Sequence, residues 1–189
     1  MLEQILEYNK QFVEKQEYKT FETSKFPNKK CVILTCMDTR LIELLPASMN
    51  LKNGDAKIVK SAGAVVSTPF GGIMRSLIVA IYELGADEVF VIGHHDCGMS
   101  SINPESVKKK FVERGITEDT IHTLENAGIN LDDWLRGFDN VTDSVQQSVD
   151  QIRNHPLVPT IPVHGLVIDP ATGKLDVVDR DEKAVTSSK

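Results

Sequence analysis

The stretch "DEVFVIGHHDCGM", Asp87 to Met99, decides the fold and raises the functional question at once. Its first half is a short apolar run without alternation, the pattern of a strand buried on both faces of a parallel sheet. Its second half sets two histidines, an aspartate and a cysteine directly after that strand. A second segment, "KKCVILTCMDTR" from Lys29 to Arg40, has the same design and carries a second reactive cysteine into the turn. The two clusters have one chemistry if their strands are neighbours.

Outward from these strands, "NGD" (Asn53 to Asp55) turns the chain into "AKIVKSA", a further strand. Thr68-Pro69 reads as a helix start with proline in the first helical position, leading into Ile73 to Leu84 and a cap at Gly85. Between Asn103 and His155 the pattern is helical. Asn103-Pro104-Glu105 opens one helix, Thr117 caps another, and Val141 to Arg153 forms a third. "VHGLVID" from Val163 is a fourth strand, and "PATGK" returns it as "LDVVD", an antiparallel edge. The expectation is an α/β fold: a mostly parallel central sheet of four strands plus an antiparallel edge strand, helices on both faces. Residues 1–189 read as a single domain, with no internal repeat or composition break.

Residues 1–28 form an N-terminal helical arm and linker in this reading. Leu2, Ile5, Leu6, Phe12 and Val13 share one helical face, ahead of the polar "KTFETSKFPNKK". That stripe packs either on its own domain or on a partner chain. Residues 181–189 are polar and expected to fray.

The composition is that of an ordinary globular protein, 41% hydrophobic and 25% charged, with a net charge of −6. That charge, with no dense basic cluster, argues against a nucleic-acid partner. No apolar run nears the ~20 residues of a membrane span, and the N-terminus lacks a signal pattern, so the expected location is cytoplasmic. In that compartment three cysteines, Cys31, Cys36 and Cys97, favour metal binding or catalysis over disulfides.

Ligands of open parallel sheets bind beyond the carboxyl ends of strands, where strand order reverses. Cys36 closes the first strand, and His94 and Cys97 follow the third with H-x-x-C spacing. Two thiolates and one imidazole suit zinc better than calcium or magnesium, and three protein ligands leave a fourth position open, as in catalytic sites. Cys31, inside the first strand, reads as a small buried hydrophobe. His95 reads as a polar neighbour and possible proton acceptor. His122, His155 and His164 read as surface or hydrogen-bonded residues, and Asp96 as a group that orients a ligand or caps the turn.

"CMDTR" and "HHDCGM" together resemble the signature of the β-class carbonic anhydrases, in their compact prokaryotic form. The resemblance extends through "KSAGAVV" and the closing "VHGLVIDPATGKL", so it covers most of the chain. It departs at Ser61-Ala62-Gly63, where many members have Asn-Ala-Gly. The resemblance implies one zinc per chain held by Cys36, His94 and Cys97, and a catalytic carboxylate–guanidinium pair of Asp38 and Arg40. It implies a homodimer, often doubled to a tetramer, with the N-terminal helix reaching across to the partner. The implied reaction is the zinc-dependent reversible hydration of carbon dioxide to bicarbonate and a proton, by a zinc-bound hydroxide.

A zinc ion lowers the pKa of a bound water from 15.7 toward ~7, for which three-histidine carbonic anhydrases are the established instance. Two thiolates would neutralise the zinc charge that three histidines leave, so the water should be less acidic and activity should rise toward alkaline pH. Asp38 either fills the fourth zinc position or is held off it by Arg40 in a bidentate pair. Rival readings are a carbonyl sulfide or carbon disulfide hydrolase on the same site, and a non-catalytic zinc-stabilised dimer that binds a metabolite or partner. Thiol redox chemistry is weaker, because no C-x-x-C is present.

Overall fold

The computed structural model describes residues 1–182. Five strands form one sheet: β1 (Cys31–Cys36), β2 (Ala56–Ser61), β3 (Glu88–His94), β4 (Val163–Ile168) and β5 (Leu175–Asp179), in the order β2-β1-β3-β4-β5. The first four are parallel and β5 runs antiparallel to β4, as the strand pattern predicts. The helices are α1 (Leu2–Glu14), α2 (Leu41–Ser48), α3 (Gly72–Tyr82), α4 (Pro104–Glu113), α5 (Glu118–Asn126), α6 (Leu131–Leu135) and α7 (Val141–Arg153).

Alternation along the strands feeds two apolar layers. Val32 and Leu34 of β1, Val89 and Val91 of β3, and Val163 and Val167 of β4 pack with Met74 and Leu77 of α3 and with Val145, Val149 and Ile152 of α7. Ile33, Ile92 and Ile168 face the other way, onto Leu41 and Leu45 of α2. Every residue of β1 is buried, which suits its apolar run, and its one polar member, Thr35, donates its hydroxyl to the Ile92 carbonyl at 3.0 Å. Glycine decides how closely α7 lies on the sheet. A Cβ at Gly93 would stand 2.8 Å from methyls of both Val141 and Val145, so any larger residue would push α7 off β3. At the far edge, Arg153 of α7 clasps Asp179 of β5 with two hydrogen bonds, of 2.9 and 2.7 Å.

Local signals located most helices. Asn103, Thr117 and Asn140 cap α4, α5 and α7 through side-chain oxygens, the last on the N–H groups of Thr142 and Asp143. The start expected at Thr68-Pro69 is wrong: α3 begins at Gly72. Proline suits the second position of a β-turn as well as the first of a helix. Here Thr68 to Gly71 form such a turn, closed by the Gly71 N–H on the Thr68 carbonyl at 3.2 Å. The sequence reading also passed over α2, whose Pro46 interrupts an otherwise helical pattern, and the short α6, capped by Asn130.

None of α1 is buried. Its stripe stands open, with Ile5 57% and Leu6 52% exposed, so it does not dock on its own domain. The linker does attach: Asn53 Nδ2 donates to the Phe21 carbonyl, and Phe12 meets Phe21 at 6.2 Å. Of the tail expected to fray, residues 183–189 lie outside the described residues. Among the described residues, no helix is long and apolar enough to cross a membrane.

Candidate metal centre and active site

From β1 the chain crosses to β2 on one side, and from β2 it returns over β1 to β3 on the other. The carboxyl ends of β1 and β3 therefore flank the point where strand order reverses, the standard ligand crevice of such sheets. Cys36 ends β1 and His94 ends β3. The following turn returns Cys97, so that the Sγ atoms of both cysteines and a ring nitrogen of His94 lie within 4.8 Å of one another. All three residues are buried, His94 to 1% exposure.

The two sulfurs are 3.9 Å apart. A tetrahedral ion with bonds of ~2.3 Å to sulfur holds two sulfurs about 3.8 Å apart. His94 Nδ1 lies 2.8 Å from the His95 carbonyl, which places its proton there and leaves Nε2 as the free lone pair. Nε2 is buried with no hydrogen-bond partner among the described residues. A divalent cation satisfies that nitrogen and both sulfurs together, so the donor set fits a metal.

The thiols have different proton affinities. Burial pushes Cys36 up, but the His94 ring and the N–H groups of Asp38 and Gly63 outweigh it and bring it down to about 7. Burial drives Cys97 up to about 11, with the neighbouring Cys36 adding to it. Contact with the Cys36 sulfur raises His94 against the opposing effect of burial. Cys31 lies apart from this group, buried in β1, where burial pushes its thiol up.

Gly63 makes one of these contacts possible. Its N–H points at Cys36 Sγ at 3.4 Å, from a left-handed backbone with φ +73°. A Cβ there would stand 2.8 Å from Phe138 and 3.0 Å from Met99, so only glycine lets the backbone come this close. The preceding Ser61, where the family resemblance breaks, turns its hydroxyl to the Val65 carbonyl at 3.4 Å.

Asp38 and Arg40 leave the same strand end. Arg40 grips the carboxylate with Nε on Oδ1 at 3.0 Å and Nη2 on Oδ2 at 2.9 Å, a bidentate fork, while its backbone N–H adds a third bond. Oδ2 is 3.8 Å from His94 Nε2, so this carboxylate borders the candidate metal position. The other side of the Arg40 guanidinium reaches Asp96, on its Oδ2 and its carbonyl, both at 2.9 Å. Neither the Gly63 nor the Asp96 contact was visible in the sequence, because each joins loops far apart along the chain. A left-handed backbone at Asp96 is a signal that no composition pattern carries.

The Arg40 guanidinium, helped by its backbone N–H, holds the Asp38 carboxyl down at about 2. Its folded-state value lies below the ordinary ~3.9 of an unfolded aspartate. The ionised pair therefore stabilises fully above about pH 4 and is lost as pH falls toward 2. Asp38→Asn should unfold more readily than the parent at neutral pH, and acid titrations of the two should converge as pH approaches 2.

His95 is exposed beside the site. The remaining histidines lie away from the cysteines. His122 is exposed, His155 accepts the Leu157 N–H, and His164 pairs with Glu88 at 3.1 Å while stacking on Phe90.

Comparison with known proteins agrees with this geometry. A family profile described as carbonic anhydrase matches residues 31–175. The chain is 60% identical over 179 residues to the Bacillus subtilis (strain 168) protein named "Putative carbonic anhydrase YtiB", covering 94% of this chain and 96% of that one. It is 27% identical over 157 residues to a carbon disulfide hydrolase of Acidithiobacillus thiooxidans, covering 78% and 76%. Among solved structures, the β-carbonic anhydrase isoform I of Trichomonas vaginalis superposes with a TM-score of 0.85 at 34% identity, over 95% of this chain and 98% of that one.

Proposed function

The chain belongs to the β-carbonic anhydrase family, and from that membership we propose that it catalyses the zinc-dependent reversible hydration of carbon dioxide to bicarbonate and a proton. The observation that carries this reading is the buried Cys36–His94–Cys97 cluster with an unpartnered His94 Nε2, bordered by a carboxylate that Arg40 engages through both oxygens. Cys36, His94 and Cys97 would hold the zinc. Bound there, zinc would supply a nucleophile near neutral pH by lowering the pKa of a water in its open position.

The protein residues then have separate jobs. The His95 carbonyl fixes the His94 ring through Nδ1. The Gly63 N–H steadies negative charge on Cys36. Asp38, ionised and unable to rotate while Arg40 grips it, accepts a hydrogen bond from the attacking oxygen and so fixes its orientation. By holding both oxygens, Arg40 would also keep this carboxylate off a bound cation.

The active unit in this proposal is a homodimer, a single domain per chain, working in the cytoplasm. Two exposed apolar surfaces support the pairing: the stripe of α1, and a groove of about 540 Å³ lined by Ile58, Val59, Val79, Ala80 and Leu84. Apolar side chains grouped on an open surface, as Ile58 and Val79 are here, mark contact surfaces. The three cysteines are unpaired, as a reducing compartment keeps them.

A single preparation tests the reading: metal content, mass by sedimentation, and stopped-flow turnover of carbon dioxide, carbonyl sulfide and carbon disulfide across neutral to alkaline pH. The expected result is one zinc per chain, a dimer, and carbon dioxide hydration that exceeds the other two reactions and rises with pH. Zinc without hydration would leave a binding module instead. Faster carbon disulfide turnover would place the chain with its hydrolase relatives.

A further inference from the structure

Arg40 joins two loops rather than two residues. On one side it holds Asp38, in the loop after β1. On the other, Nη1 and Nη2 hold the side chain and the carbonyl of Asp96, inside the H-x-x-C turn after β3. The two loops that bring the cysteine and histidine ligands are therefore tied together by one guanidinium with a carboxylate on each flank. Asp96 is built for this position: its φ of +53° is left-handed, and that backbone turns both its carbonyl and its carboxylate toward Arg40.

We propose that Asp96 is a positioning residue that acts through Arg40: it holds the guanidinium in the plane that grips Asp38, and so sets how much of the time that carboxylate is fixed. The proposal rests on the carbonic anhydrase reading only for its consequence on turnover. Its structural part stands alone. An unsupported Arg40 has one carboxylate to bind and four rotatable side-chain bonds, and its fork on Asp38 dissociates more often. With Asp96 in place the guanidinium is held on two adjacent edges that share Nη2, and leaving Asp38 would also disturb the bonds to Asp96.

The size of the effect follows from exposure. The Asp96 side chain is 86% exposed, so the pair is worth what surface ion pairs are worth. That corresponds to about a two- to fivefold change in the gripped population. The Asp96 carbonyl bond persists in any variant, which keeps the effect from being larger.

Asp96→Gly removes the carboxylate while tolerating the left-handed backbone, and Asp96→Asn keeps an acceptor oxygen and the same backbone preference. Two measurements on the zinc-loaded proteins decide the matter. The first is hydrogen exchange of the Arg40 Nε–H by nitrogen-resolved NMR, assigned by its loss in Arg40→Lys. The second is kcat/KM for carbon dioxide, with zinc content measured on each sample. In Asp96→Gly the exchange should quicken about two- to fivefold and kcat/KM should fall by a like factor at unchanged zinc. Asp96→Asn, which keeps an acceptor without the charge, should recover part of both. A purely structural role in the turn would leave Arg40 exchange unmoved, because glycine relieves that backbone. Unchanged exchange in Asp96→Gly overturns the proposal. If the parent protein hydrates no carbon dioxide, the exchange measurement still decides the role of Asp96, while the functional reading fails separately.

Discussion

Cys36→Ser is expected to fold, to lose its metal, and to lose turnover with it. The substitution nearly conserves volume at a buried strand end, and the serine oxygen can still accept the Gly63 N–H that the sulfur accepts at 3.4 Å. The change therefore isolates ligation from packing. A serine hydroxyl stays protonated at neutral pH and is a poor zinc ligand, whereas the Cys36 thiol sits at about 7 and gives up its proton readily. Removing an outer partner of a zinc ligand weakens binding by about 10–100-fold, and removing the ligand itself should exceed that. Elemental analysis should find almost no zinc after dialysis, and hydration should fall to background. Thermal unfolding provides a second readout. A tightly bound metal at 100 times its Kd adds about 2.7 kcal/mol. Adding zinc should raise the melting temperature of the parent and not of the variant. Retention of zinc and turnover in Cys36→Ser would remove the proposed chemistry altogether.

Arg40→Ala should keep its zinc and lose most of its activity, on the order of 10²-fold or more, the scale of removing one preorganised group from a charge-stabilising site. Asp38 Oδ2 already lies 3.8 Å from His94 Nε2. Without the guanidinium only the backbone N–H of residue 40 still reaches Oδ1, Oδ2 is released, and the freed carboxylate would be drawn toward a bound cation. Arg40→Lys should recover only part of the loss, since an ammonium is a point charge without the planar fork that spans Oδ1 and Oδ2. Stopped-flow kcat/KM with zinc measured on the same samples is the check. Full turnover in a zinc-loaded Arg40→Ala would show that Asp38 needs no keeper.

Particular elements show how much of this was legible beforehand. Helix α7 was readable to its ends because Asn140 caps it locally and its apolar residues recur on one face. Strands β1 and β3 were readable because burial of Val32 to Leu34 and of Val91 to Gly93 leaves a short apolar run without alternation. The start of α3 was misplaced, since Thr68-Pro69 fits a turn and a helix start equally well, and the choice lay in the Gly71 N–H reaching back to Thr68. Pro46 hid α2 for the opposite reason: a residue that usually ends helices sits within one. The apolar stripe of α1 was plain from the spacing of Leu2, Ile5 and Leu6, but whether its own domain covered it was a question of three-dimensional placement.

The sequence by itself determined the strands, the capped helices, and the identity of the reactive groups, because each is written in a few consecutive residues and their immediate neighbours. The tertiary structure alone decided that β1 and β3 lie side by side, that two sulfurs 61 positions apart come to 3.9 Å, and that the Arg40 guanidinium, already on Asp38, reaches Asp96 across 56 positions. Strand order depends on which crossovers pack on which face, a property of the whole buried core. A donor set can be spelled in a sequence, but the distances that make it a site arise only when that core closes.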